Sequence, residues 1–272
     1  TLPYKFYWNN GKNDQNLSAI PAGDYNVKVT DANDCEISLE AKVMEPQQLN
    51  VSITEAQNIK CYGNKTGSIN VTVNGGVEPY SYQWSNGANT QDLLQIPSGV
   101  YTLKVKDAKG CSNSVNATVE EPLPLEIETV TTSNIKCYGG KEGEITISVK
   151  GGIAPYVFTW NNGANTQDLQ DIPAGLYELK VADANGCVKS YSSQISEPPV
   201  LKYSIDAVKH ISCMGESNGS VNLSVSGGTV PYTYQWNNGV TTQDLVNVPA
   251  GKYTVIIKES NGCESKTDVS IT

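Results

Sequence analysis

Residues 61–76 read CYGNKTGSINVTVNGG. In the second half of this stretch Ile69, Val71 and Val73 alternate with Ser68, Asn70, Thr72 and Asn74, the period of two expected of a strand with one buried and one wet face. Gly75-Gly76 and then Pro79 stop it. The alternation resumes downstream in Tyr80, Tyr82 and Trp84, and again in Tyr101, Leu103 and Val105 set against Thr102, Lys104 and Lys106. Turn signals separate these runs: Asn86-Gly87, Pro97-Ser98-Gly99, and Asp107 to Gly110. No segment carries an uninterrupted helical period of useful length.

The same stretch starts a repeat. The seven cysteines form two series, Cys35, Cys111, Cys187, Cys263 and Cys61, Cys137, Cys213, and every step within a series is 76 residues. Trp8, Trp84, Trp160 and Trp236 keep that step, as do Tyr25, Tyr101, Tyr177 and Tyr253 and the glycine pairs at Gly75, Gly151 and Gly227. Three whole units follow, 47–122, 123–198 and 199–272, behind residues 1–46, the C-terminal part of a truncated fourth. Residues 1–46 lack the opening strands, so Cys35 is expected to be unpaired by truncation and the odd cysteine count carries no sign of a reactive thiol.

Six or seven short strands per unit, turns every eight to twelve residues and a Trp on one strand predict an all-β chain of tandem immunoglobulin-like β-sandwich domains. The segment from Leu93 to Val105 resembles the corner at which such folds bond a Tyr hydroxyl to upstream backbone. A sandwich of 76 residues has a small core, so a covalent staple matters. The preferred pairs are Cys61 with Cys111, Cys137 with Cys187 and Cys213 with Cys263, each closing a loop worth roughly 4 kcal/mol in the chain-entropy model. Spacing alone leaves pairing between neighbouring units open, and reduced core thiols as well. Prolines at the junctions, in Glu121-Pro122-Leu123-Pro124 and Glu197-Pro198-Pro199, leave little slack and predict an extended, semi-rigid rod.

Charge narrows the partners. All 19 basic residues are lysine and the net charge is −9, which argues against a basic face for nucleic acid or anionic membrane. No apolar run approaches the roughly 18 residues of a membrane span, so no membrane insertion is expected.

Candidate sites are few. Asp107 and Asp183 could ligate calcium, but Asp or Asn before Gly is also what a tight hairpin turn requires, so no cofactor is favoured. Asp92, Asp168 and Asp244 follow the Asn-Gly turn, where capping of an amide is the simpler role. Catalysis lacks a positioned base, because the one histidine, His210, is replaced by Asn58 and Asn134 in the other units. Trp84, Trp160 and Trp236, with Tyr101, Tyr177 and Tyr253, lie on alternating strands and are assigned to the cores; exposed, the aromatics would make sugar-stacking platforms. The sequons at Asn64, Asn70 and Asn116 are given no role.

The units resemble the SprB repeat of large gliding-motility adhesins and related surface proteins of Bacteroidota. The resemblance lies in the Cys-x-Gly stretch at 61–76, in PYSYQWSNGANTQDL (residues 79–93) and in IPSGVYTLKVKDAKGC (residues 96–111), recurring in order in all three complete units. It implies a long, non-catalytic cell-surface adhesin exported by the type IX secretion system. Such a protein is attached at the outer membrane through other regions, served there by the gliding and secretion machinery, and touches a substratum or polysaccharide surface. A type IX sorting signal is not found in these residues. Two departures, Glu259 in the place of Asp31, Asp107 and Asp183, and Asn16 in that of Asp92, Asp168 and Asp244, weaken an essential role for either acid. The competing expectation is a carbohydrate-binding accessory module of a secreted polysaccharide-degrading protein.

Overall fold

The computed structural model describes Thr1–Thr272, apart from the side chain of Thr129. Every regular element is a strand. Residues 1–46 hold β1 (Lys5–Trp8), β2 (Gly23–Thr30) and β3 (Glu36–Val43). The first full repeat adds β4 (Asn50–Gln57), β5 (Gly67–Asn74), β6 (Ser81–Trp84), β7 (Leu93–Ile96), β8 (Gly99–Lys106) and β9 (Ser112–Val119). The second has β10 (Glu126–Ser133), β11 (Gly143–Lys150), β12 (Val157–Trp160), β13 (Leu169–Ile172), β14 (Gly175–Ala182) and β15 (Val188–Ile195). The third has β16 (Lys202–Lys209), β17 (Gly219–Ser226), β18 (Thr233–Trp236), β19 (Leu245–Val248), β20 (Gly251–Lys258) and β21 (Glu264–Ile271). No helix among the described residues is long and apolar enough to cross a membrane.

Each full repeat is two antiparallel three-stranded sheets, in the first repeat β4-β5-β7 and β6-β8-β9. The alternating residues explain the closure. Ile69 and Val71 of β5 turn inward against Trp84, Leu103 and Val105 of the other sheet, all 3 % exposed or less. β6 and β7 are each only 4 residues long and together make one crossing that changes sheet. The three repeats keep three separate buried clusters. By contact the chain forms two compact units, Thr1–Ile59 with Asn64–Glu120, and Lys60–Gly63 with Glu121–Thr272.

The corner expected around Tyr101 is present four times. Tyr25, Tyr101, Tyr177 and Tyr253 donate their hydroxyls to the carbonyls of Pro21, Pro97, Pro173 and Pro249, each at 2.8 Å. Residues 1–46 form the single sheet β1-β2-β3. Leu17 to Ile20, which match β7, form no strand, because β7 pairs with β5 and this part of the chain has no counterpart of β5. Leu39 is correspondingly 61 % exposed, whereas its equivalent Val115 packs on the first core.

Candidate functional site: the cysteine joints

Each full repeat has two poles, and the chain fixes which cysteine lies at which. At the exit pole the last strand ends beside the first: the Ile59 amide donates to the Glu120 carbonyl at 2.8 Å, and the Glu120 amide to the Asn58 side chain at 2.9 Å. Cys61 follows directly, in a turn closed by Gly63 at φ +75°. At the entry pole the amide of Gly76 donates to Gln47 and that of Ala108 to Val77, and Cys111 stands at the start of β9. The full length of β9, 8 residues, separates the poles. At about 3.3 Å per residue that is roughly 26 Å, against the 7 Å or so within which two Cα atoms can be bridged.

The expected pairs Cys61–Cys111, Cys137–Cys187 and Cys213–Cys263 are therefore wrong, and the reason is this separation. Cys61 is bonded to Cys187 and Cys137 to Cys263, each pair 126 residues apart and with Cα atoms at 5.6 and 5.7 Å. The exit-pole cysteine of one repeat is joined to the entry-pole cysteine of the next. Cys35, Cys111 and Cys213 are free and exposed. Cys111 and Cys213 were expected to be paired and are not.

Both joints are built alike. Asp183 Oδ1 accepts the amides of Asn185 and Cys187, each at 2.9 Å, and Oδ2 accepts that of Ile153 at 3.0 Å. The turn so held presents Asn185 Nδ2, which donates to the Lys60 carbonyl at 2.8 Å beside the disulfide. At the second joint Asn261 Nδ2 donates to the Lys136 carbonyl at 2.9 Å. These asparagines were missed as site residues, although Asn33, Asn185 and Asn261 recur at two residues before a cysteine of the first series.

Asp107 and Asp183, the weak calcium candidates, are 6 % and 5 % exposed and spend their oxygens on backbone. Asp107 Oδ1 takes Lys109 and Cys111 at 3.0 and 2.8 Å, and Oδ2 takes Val77 at 3.0 Å. Burial works to raise the pKa of Asp107, but the amides of Val77, Cys111, Lys109 and Gly110 outweigh it and the net direction is below the ordinary aspartate value. Glu259 takes the Thr229 amide at 2.8 Å in the corresponding way. No group of three or more His, Cys, Asp or Glu among the described residues could hold a metal ion.

The second acidic series caps strand backbone. Asp92, Asp168 and Asp244 accept the amides of Val71, Ile147 and Leu223 at 2.8, 2.9 and 2.9 Å. Gln91 and Gln167 donate to the carbonyls of Val71 and Ile147, both at 2.7 Å, and Gln243 to that of Leu223. The Gln-Asp pair thus continues the ladder where β7 stops. Trp84, Trp160 and Trp236 are 2, 2 and 1 % exposed, and each indole N–H donates to a carbonyl of the following loop. They offer no face to a sugar. Tyr101, Tyr177 and Tyr253 are each 6 % exposed. His210 Nδ1 accepts the Thr272 amide at 2.9 Å, the part that Asn58 and Asn134 play in their repeats.

These features define a tandem array of immunoglobulin-like sandwiches in which consecutive repeats are cross-linked. Among solved structures, the chain is similar to immunoglobulin domains 1–5 of Sidekick-1 at 11 % identity and a TM-score of 0.33, over 99 % of this chain and 73 % of that one. It is similar to hemolin, an insect immune protein, at 12 % identity and 0.30, over 99 % and 91 %, and to cadherin domains 1–4 of protocadherin gamma B7 at 7 % and 0.38, over 92 % and 83 %. With scores this low the fold assignment rests on the strand pairing itself. No curated protein matches. The SprB repeat family's profile matches the chain three times, at residues 53–89, 129–165 and 205–241. Each match takes in the exit-pole cysteine and the core Trp and ends before the entry-pole cysteine.

Proposed function

We propose that this chain is a non-catalytic segment of a cell-surface adhesin, an array that carries load between a cell and what the cell grips, in attachment and gliding. The observation that supports this reading most is the pairing of Cys61 with Cys187 and of Cys137 with Cys263. A staple within one repeat would stabilise that repeat alone. A bridge from each repeat to the next holds the array together when one sandwich opens, which is useful to a chain under tension and to little else. Disulfides persist in oxidising compartments, which agrees with an extracellular place. The three matches to the SprB repeat profile supply the link to surface adhesins. The partners on this reading are a substratum or polysaccharide surface at one end and outer-membrane gliding and secretion machinery at the other, both reached through other parts of the protein.

Cells producing the whole protein supply the test. Antibody fragments against this chain are expected to label intact cells and to hinder their attachment to a surface. Labelling confined to permeabilised cells would refute the reading. A carbohydrate-binding module would instead show saturable glycan binding, lost on substitution of an exposed aromatic such as Tyr62 or Tyr138, which are 57 % and 59 % exposed.

A further inference from the structure

The two bridges overlap in sequence. One closes Cys61 to Cys187 and the other Cys137 to Cys263, so every peptide bond between Cys61 and Cys263 lies inside at least one closed loop. Those between Cys137 and Cys187 lie inside both. A single break of the backbone anywhere in that span leaves two pieces still joined through sulfur.

The chain offers such a break at a repeated place. The segment that leads from the exit-pole cysteine to the next strand has no regular structure at Asn64–Thr66, ahead of β5, and again at Gly140–Glu142, ahead of β11. Lys65 and Lys141 stand at equivalent positions there, and both are exposed. Exposed irregular backbone is where peptidases cut, because the substrate must lie extended in their cleft, and a lysine within a paired strand cannot do so. Lys60 and Lys136 are held too, their carbonyls accepting the joint asparagines. In the third repeat Ser217 takes the lysine's position.

A cut after Lys141 puts β10 on one piece and β11 on the other, and much still spans the gap. β10 pairs with β11 from Glu126 opposite Lys150 to Ser133 opposite Glu144. Ile135, buried in the second core, donates its amide to the Ser196 carbonyl at 2.9 Å, and the Ser196 amide donates to the Asn134 side chain at 2.9 Å. Glu142 Oε1 accepts the Lys136 amide at 2.7 Å, a bond that crosses the cut itself. Cys137 remains tied to Cys263, so the severed strand stays at high effective concentration beside its partner.

We propose that the lysine loops Asn64–Thr66 and Gly140–Glu142 are cleavage sites for a lysine-specific extracellular peptidase, and that the overlapping bridges let the array be cut there without being severed or unfolded. Hydrolysis adds one water across the Lys65–Thr66 or Lys141–Glu142 bond, leaving a carboxylate on the lysine and an ammonium on the next residue; the disulfides take no part. The device depends on the bridges and is the same whatever the array grips.

The test is a brief digestion of the chain, its bridges closed and its exposed thiols alkylated, with a lysine-specific peptidase. Denaturing gels run with and without reductant, and mass spectrometry, identify the pieces. The pairs 1–65 with 66–272 and 1–141 with 142–272 are expected to part only after reduction. Cys61→Ser should release 1–65 without reductant and leave 1–141 attached through the second bridge; adding Cys137→Ser should release 1–141 as well. In the cut native chain the amides of β10 should keep the hydrogen-exchange protection of the uncut chain, and after reduction that protection should fall on dilution, because the pairing has become bimolecular. Resistance of both loops to the peptidase, pieces of the native chain that part without reductant, or loss of β10 protection on cutting with the bridges closed would each overturn the proposal.

Discussion

Pulling the chain by its ends measures the pairing directly. With both bridges closed, the shortest covalent path runs from Thr1 to Cys61, across to Cys187, back along the chain to Cys137, across to Cys263 and on to Thr272. That is about 120 residues in place of the whole chain, or about 430 Å at full extension against about 980 Å when reduced. The two loops overlap between Cys137 and Cys187, and this makes the bridges non-additive. Cys61→Ser alone opens a path only some 26 residues longer, a gain of about 90 Å, because the second bridge still spans most of the chain. Cys61→Ser with Cys137→Ser frees the whole chain and gains about 550 Å. Pairs closed within repeats would behave otherwise, each loss adding about 180 Å independently of the others. Single-molecule force spectroscopy resolves these lengths. The reasoning fails if Cys61→Ser adds about 180 Å, or if Cys111→Ser, which removes a free thiol, lengthens the chain at all.

Four further outcomes follow from the same geometry. Reduction should leave the sandwiches folded, because the three cores contain no cysteine; circular dichroism in dithiothreitol should keep its strand signal while the pulling length grows. Asp92→Ala leaves the amide of buried Val71 without its acceptor and should cost about 1–3 kcal/mol, with faster hydrogen exchange at Val71. Gly75→Ala puts a Cβ 2.2 Å from the Gln48 carbonyl oxygen at φ +70° and should cost about 2 kcal/mol or more in denaturant titration. Asp107 has a folded pKa below its unfolded one, so its contribution is complete above about pH 4 and is lost as pH falls through the folded value. Asp107→Asn should therefore melt below the native chain at neutral pH and converge with it in acid.

The fold was legible because the strands obey one local rule. Ile69, Val71, Tyr101, Leu103 and Val105 alternate cleanly, and Gly75-Gly76 and Asn86-Gly87 mark where they stop, so the all-β sandwich and its core tryptophans follow from residue order. The Tyr101 corner was legible for the same reason. Gln91 was not singled out, since a polar side chain that substitutes for strand backbone looks like any other loop residue. The role of Asn185 was hidden more deeply: its acceptor, Lys60, is 125 residues away and belongs to another repeat. Periodicity says nothing about which repeat a partner comes from.

The cysteine pairing was mistaken for that reason, and strand direction corrects it. Cys61 to Cys111 and Cys61 to Cys187 both preserve a step of 76, so both patterns satisfy the repeat equally. What separates them is parity. From β5 onward the chain crosses the sandwich by β5, by β6 with β7, and by β8, an odd number of passages, so Cys111 stands at the pole opposite Cys61. A cysteine at the exit pole can meet only something brought to that pole, and the next repeat begins its chain there. Each bridge accordingly closes 126 residues, a loop-closure term of about 5 kcal/mol that belongs to no single sandwich. Unfolding one repeat inside the loop does not release it, because the neighbour keeps the ends together. The disulfides therefore contribute little to the choice of fold, which the cores make, and much to keeping consecutive repeats covalently joined.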